Sequence, residues 1–219
     1  MKKVIFIFAV AFAAISANAQ IVSSRSTSIE RTPSNKVKYF SIGLNLASAS
    51  GDGATNLKSK ALYDVSLGVH YPINQGFYFG MNYALSSRGY KYEDKEDYYA
   101  SYTEKMTAHQ IRITPSFGYQ VEVVDKFKVD PHFGWFFSGD FAGNYKEEVD
   151  ISGYGKSSDS QSIYDIEHYS YFDTGFQFGV ALWYSSYFLD FSYRKGIIEW
   201  VKDSKVYSSN FTIRLGIAF

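Results

Sequence analysis

From Tyr39 to Phe219 the chain alternates large apolar and small polar residues with a period of two, and it does so eight times. Side chains of a β-strand point alternately to opposite faces, so a period of two is the pattern of a strand with two unlike faces. The segments fall at about 39–48, 61–71, 76–88, 107–121, 127–139, 171–184, 187–195 and 207–219. The last sets Phe211, Ile213, Leu215, Ile217 and Phe219 against Asn210, Thr212, Arg214, Gly216 and Ala218. The first sets Phe40, Ile42, Leu44 and Leu46 against Ser41, Gly43, Asn45 and Ala47.

A soluble sheet would bury the apolar face. Here that face is bulky and aromatic on every segment, and the other is small, with glycine on seven of the eight. That balance predicts the inverse arrangement: apolar residues toward lipid, and small residues lining an interior too narrow for larger ones. An eight-stranded barrel is about wide enough for its own side chains to fill. The connections alternate between short (72–75, 122–126, 185–186) and long (49–60, 89–106, 140–170, 196–206). Outer-membrane barrels keep short turns in the periplasm and long loops outside. The fold expected is all-β: an eight-stranded, antiparallel, up-and-down transmembrane barrel over 39–219, with both termini periplasmic. Pro115 and Pro131 lie on the lipid-facing parity, and each removes a ladder donor. Local bulges near the short turns are expected there.

The N-terminus reads as an export signal. Lys2 and Lys3 precede an apolar run from Val4 to Ile15, and Ala17-Asn18-Ala19 supplies a small-x-small cleavage pattern. The apolar run is shorter than the roughly 20 residues of a membrane-spanning helix, which argues against a retained anchor. Residues 1–19 are therefore expected to be a signal peptide, and the polar stretch 20–38 a flexible periplasmic leader. With no cysteine, the chain has neither disulfides nor thiolate chemistry. A net charge of zero offers no basic surface for nucleic acid. Tyr and Phe number 20 and 19, which suits a barrel with aromatic girdles.

The small face also collects Asp64, Arg88, Arg112, Asp130, Asp173, Asp190, Arg194 and Arg214. Buried charges persist when paired and hydrogen-bonded. Four acids against four arginines predict a self-neutralising network that plugs the lumen, in preference to an ion or proton path. His70 and His132 share that face. They are expected within the network and not on a metal, because no metal-ligand spacing accompanies them. No cofactor is expected. Loops 89–106 and 140–170 are rich in tyrosine and acids and could meet an unidentified protein or surface ligand. Ile197, Ile198, Trp200 and Val201 are too apolar for a free loop and are expected to extend the seventh strand, cap the mouth or meet a partner.

The run from Asn210 to Phe219, ending in Phe, looks like the β-signal read by the outer-membrane insertion machinery. With the export signal and Ser192-Tyr193-Arg194-Lys195-Gly196, the chain resembles the PorT-like outer-membrane barrels and is similar in architecture to small OmpA/OmpX-type barrels. The resemblance implies a Gram-negative outer membrane and contact with its lipids and with the insertion machinery during biogenesis. It assigns no catalytic residue. Two rival readings compete with this one. Lipid A deacylases are also eight-stranded barrels and use a lipid-facing His-x-Ser, and His168-Tyr169-Ser170 matches that spacing; the triad lacks an acid on the same face. A soluble lipocalin-like barrel would need an apolar interior, which the charged face denies it. A non-enzymatic, porin-like cell-surface barrel, with a structural, adhesive or envelope-complex role, is the reading that remains.

Overall fold

A computed structural model describes residues 36–74, 76–94, 100–151, 153 and 155–219. The expected signal peptide and nearly all of the leader lie outside the described residues. Eleven strands form: β1 (Val37–Ser50), β2 (Leu57–Lys58), β3 (Lys60–Asn74), β4 (Phe77–Asp94), β5 (Ala100–Tyr119), β6 (Val121–Val124), β7 (Phe127–Ile151), β8 (Gly155–Ser162), β9 (Phe172–Tyr184), β10 (Tyr187–Glu199) and β11 (Tyr207–Ala218). Eight of them make the wall. They pair antiparallel in the order β1, β3, β4, β5, β7, β9, β10, β11. The ring closes where β11 returns to β1, from Tyr39 opposite Ala218 to Ser50 opposite Tyr207. β6 continues the β5–β7 hairpin at the short-turn end, while β2 and β8 add to the sheet at the other end.

The two faces part as the alternation requires. Outward Leu44 is 53% exposed, Phe178 54% and Leu215 59%, whereas inward Asp64 is 0% and Arg112 1% exposed. In water this would be an inverted core; in lipid the exposed wall is the solvated surface. No described helix is long and apolar enough to cross a membrane, so any crossing is made by strands. At the short-turn end Phe77, Tyr119, Tyr184 and Tyr187 stand exposed on the outer wall, as an interfacial aromatic belt should.

The inward glycines have a more local purpose than a narrow bore. Four of them sit directly across the ladder from a large inward ring: Gly68 from Tyr39, Gly118 from Tyr78, Gly216 from Phe188 and Gly179 from His132. A Cβ on Gly216 would lie 2.1 Å from Phe188 Cζ, and one on Gly118 2.2 Å from Tyr78 Oη. The glycines are notches that let neighbouring rings lie flat along the lumen wall. The rings form an aromatic layer at the short-turn end, where His70 stacks on Tyr78 (3.8 Å between centroids) and Trp183 packs on Phe188 (4.4 Å).

Two expectations are corrected. The prolines do not bulge the wall. The β5–β7 ladder omits Thr114 and Pro115 but resumes in the same register at Ser116, and Pro131 pairs with Val180 without a shift. One lost donor removes a bond without adding a residue, so the register has no cause to move. The shift in that ladder lies instead at His109/Gln110. The segments 89–106 and 140–170, expected as loops, are largely sheet. β4 and β5 stay paired out to Asp94 opposite Tyr102, and β7 runs 25 residues before β8 pairs back on it. A tilted spanning strand needs only about 9–11 residues, so these strands rise well beyond the membrane. Residues 95–99 of the first expected loop lie outside the described residues.

Two measurements test this wall. Leu215→Arg on the lipid face should destabilise the folded protein in bilayers by about 2–4 kcal/mol, read from urea unfolding in lipid vesicles. Gly216→Ala should cost about 1–3 kcal/mol by the same readout, because Phe188 must leave its notch.

Candidate functional site

Buried polar and aromatic side chains fill most of the lumen among the described residues. All eight charged residues expected on the small face are buried inside it: Asp64, Arg88, Arg112, Asp130, Asp173, Asp190, Arg194 and Arg214. At the centre Asp64 of β3 faces three arginines, with Arg112 at 2.9 Å, Arg194 at 3.6 Å and Arg214 at 3.9 Å. Arg214 also donates to Asp190 at 2.9 Å, and Asp190 lies 2.8 Å from His132 Nε2. Toward the long-strand end Arg88 donates to Asp140 at 2.6 Å and lies 3.4 Å from Asp173. At the short-turn end Asp130 meets no arginine. It accepts from Tyr78 (2.8 Å), Trp183 (3.0 Å) and Gln120 (3.2 Å).

Asp140 was missed because the fifth strand was expected to stop at residue 139. The inward parity runs one step further, through Ser138 to Asp140. With it the lumen holds five acids and four arginines, and Asp130, bonded only to neutral donors, is the acid without a guanidinium. A void of about 30 Å³ beside Tyr78, Asp130 and Asp190 has room for about one water. His70 stacks on Tyr78 and His132 meets Asp190, so the two histidines serve separate contacts. Among the described residues no three His, Asp or Glu side chains gather to hold a metal ion.

The mouth is capped by the chain itself. β10 runs on through Ile197 and Ile198 to Glu199, and Trp200 then folds in to 1% exposure. Its ring lies 5.1 Å from the Arg88 guanidinium, a cation–π contact in a buried setting. Met106, Ala108, Ile163 and Tyr169 complete the cap. Tyr169 donates to Asp140 at 2.6 Å, which binds the cap to the lumen network.

His168-Tyr169-Ser170 therefore has a packing explanation through its middle residue. The flanking pair do not meet each other. His168 is exposed beside Glu167 (3.4 Å), and the Ser170 hydroxyl donates to the Phe172 carbonyl. A histidine that abstracts a proton from serine must lie within hydrogen-bond reach of it.

Above the cap, β4, β5, β7 and β8 project as a sheet whose two faces carry different chemistry. One face brings Tyr90, Tyr92 and Asp94 of β4 beside Met106, Glu104 and Tyr102 of β5. The same face continues with Tyr145 and Glu147 of β7 and Asp159 of β8. The opposite face carries Lys91, Lys105 and Lys146 in one row, with Glu93 and Glu148 in the next. On this lysine face the acids are paired. Glu93 contacts Lys58 (2.6 Å) and Lys91, Glu148 contacts Lys146 (2.7 Å) and Lys105 (2.9 Å), and Asp150 contacts Lys156 (3.4 Å). Hydrogen bonds from Lys58 and Lys91 hold the Glu93 carboxyl down at about 2, and those from Lys146 and Lys105 do the same for Glu148. The tyrosine face has no such pairs. Its carboxylates accept from tyrosines instead: Glu104 from Tyr90 at 2.6 Å, Glu147 from Tyr145 at 2.9 Å and Asp94 from Tyr92 at 3.2 Å. Sequence reading missed this sheet because both of its faces are polar, and an alternation of tyrosine–acid with lysine–acid leaves no hydrophobic period.

Truncating one partner of a buried charge cluster strands the others, which costs more than losing a neutral hydrogen bond. Asp64→Asn should therefore destabilise the barrel by about 3–5 kcal/mol. Asp130→Asn, which removes an acid bonded only to neutral donors, should cost about 1–3 kcal/mol. Equal losses in urea unfolding would deny Asp64 its central place.

Comparison with known proteins gives a consistent picture. The solved structures it resembles include the attachment invasion locus protein Ail of Yersinia pestis, at 16% identity and a TM-score of 0.41, covering 84% of this chain and 98% of that one. Neisserial surface protein A is similar at 19% identity and a TM-score of 0.36, covering 84% and 96%. So is the N-terminal β-barrel domain of Pseudomonas aeruginosa OprF, at 8% identity and 0.39, covering 85% and 98%. No curated protein matches the sequence. The outer membrane protein beta-barrel domain family matches residues 18–201, most of the chain. With a closed ring of eight strands, a lipid-facing apolar wall and that match, the chain belongs to the family of outer membrane β-barrel domain proteins and is a protein of the Gram-negative outer membrane.

Proposed function

We propose that this barrel is a non-enzymatic surface protein whose closed lumen conducts nothing and whose projecting sheet is its working part, in an adhesive, structural or envelope-complex role. The observation that carries the reading is the length of β7. Its 25 residues far exceed what the bilayer needs, and the excess is built as paired sheet with β5 and β8. A paired sheet keeps its shape, so its side chains are already arranged when a partner arrives and little ordering entropy is lost on binding. The filled lumen supports the same reading, because a void of about 30 Å³ admits no continuous column of water. His168 lies beside Glu167 and Ser170 donates to the Phe172 carbonyl, so this pair gives the hydrolase reading no support.

In this reading the short turns and both termini face the periplasm, and the projecting sheet stands outside the cell. The outward row Phe211, Ile213, Leu215, Ile217 and Phe219 serves insertion, as the strand that the assembly machinery reads and that closes the ring on β1.

The absence of cysteine makes orientation directly measurable. Ser158→Cys, exposed on β8, should react in intact cells with a maleimide too large to cross porins. Ser186→Cys, in the β9–β10 turn, should react only after the outer membrane is permeabilised. The reverse labelling pattern would invert the orientation and end the surface-display reading. Planar bilayers containing the purified protein should show no steady conductance.

A further inference from the structure

The projecting sheet separates its charges by face, and the two faces treat them differently. Behind, Glu93, Glu148 and Asp150 each contact at least one lysine, so the acids of that face already have cations beside them. In front, Asp94, Glu104, Glu147 and Asp159 carry four negative charges, and no described lysine or arginine lies within ion-pair distance of them. Tyrosine hydroxyls hold three of these carboxylates in place. A phenol donates a single hydrogen, so each carboxylate keeps acceptor capacity to spare.

At the root of the front face lies a hollow of about 290 Å³. Met106, Val201 and Val206 give it an apolar floor, and Tyr90 and Glu104 a polar wall. Trp200 also lines it. The Trp200 indole nitrogen is buried and has no acceptor among the described residues, which leaves a donor waiting for a partner. A buried donor without an acceptor carries a free-energy cost that a suitable ligand would remove.

From this geometry we infer that the front face binds a lysine- or arginine-rich segment of a partner protein, with one basic side chain seated in the hollow. The aliphatic stem of such a side chain covers the apolar floor while its charged head reaches Glu104 and the tyrosine rings. A main-chain carbonyl of the same segment accepts from the Trp200 indole. Further basic residues meet Glu147, Asp94 and Asp159 on the neighbouring strands. Among the described residues of this face no cation stands ready for a sulfated or phosphorylated ligand. The inference rests on the surface-display reading above and specifies the chemistry of the partner.

The test uses the full protein folded in zwitterionic detergent and a short, fluorescently labelled peptide of alternating lysine and serine. Binding read by anisotropy at low salt should weaken by on the order of tenfold in the Glu104→Gln/Glu147→Gln double variant. It should stay within about twofold in Glu148→Gln, whose charge lies on the back face and is already paired. The same peptide with glutamate in place of lysine should not bind. A gel shift between boiled and unboiled samples verifies that each variant is folded. Failure of the lysine peptide to bind, equal weakening by the front-face and back-face variants, or preference for the glutamate peptide would each overturn the inference. The maleimide labelling is independent of all three results. Surface labelling without peptide binding would sink the basic-partner inference alone, whereas failed labelling would sink the display reading itself.

Discussion

Everything in this molecule depends on the pairing of β11 with β1. In the hydrocarbon of a bilayer an unpaired amide or carbonyl has no water to turn to, and each such group costs several kcal/mol. An open eight-stranded sheet would expose two full edges of such groups. The twelve paired positions between Tyr39–Ser50 and Tyr207–Ala218 remove both at once. Once the ring is closed, every strand has an inside and an outside, and parity alone decides which residues meet lipid and which meet one another.

The wall was legible in the sequence for that reason. A period of two with unlike faces needs no tertiary information to be recognised, and the eight segments, the short turns and the inward charges all follow from it. What could not be read came from partners distant in the chain. That Gly216 accommodates Phe188, or Gly68 Tyr39, is a fact of register between strands, and the sequence of either strand alone does not contain it. Trp200 looked like an apolar residue in a loop, because its partner Arg88 lies more than a hundred positions away. The projecting sheet was hidden for a different reason. Hydrophobic alternation reports a strand only when one face avoids water, and both faces of that sheet are wet.

The lumen and the projecting sheet divide the use of charge between them. Inside, charge is matched as closely as the packing allows, with Asp64 shared by three guanidinium groups and Asp190 by Arg214 and His132. Such matching serves specificity of the fold more than its stability, since well-packed apolar residues can replace a buried ion pair at little cost. On the back of the sheet the exposed lysine–carboxylate pairs contribute little energy each, and Glu93, Glu148 and Asp150 already have cations beside them. The front face, where Glu104, Glu147 and Asp94 accept from tyrosines and Asp159 from a backbone amide, keeps its charge.

Most ion pairs in the lumen join strands that are not neighbours in the ring. Arg88 on β4 is held by Asp140 on β7 and Asp173 on β9, and Arg214 on β11 reaches Asp64 on β3 as well as Asp190 on β10. These ties run across the bore as spokes run across a wheel. Hydrogen-bonded seams between adjacent strands could in principle open one at a time, like the staves of a cask. With these ties in place, parting the β4–β5, β5–β7 or β7–β9 seam also strains the hold of Arg88 on Asp140 or Asp173. The barrel is thus braced against partial opening, and Arg214 reaches Asp64 as well as Asp190 only when β11 has closed the ring onto β1.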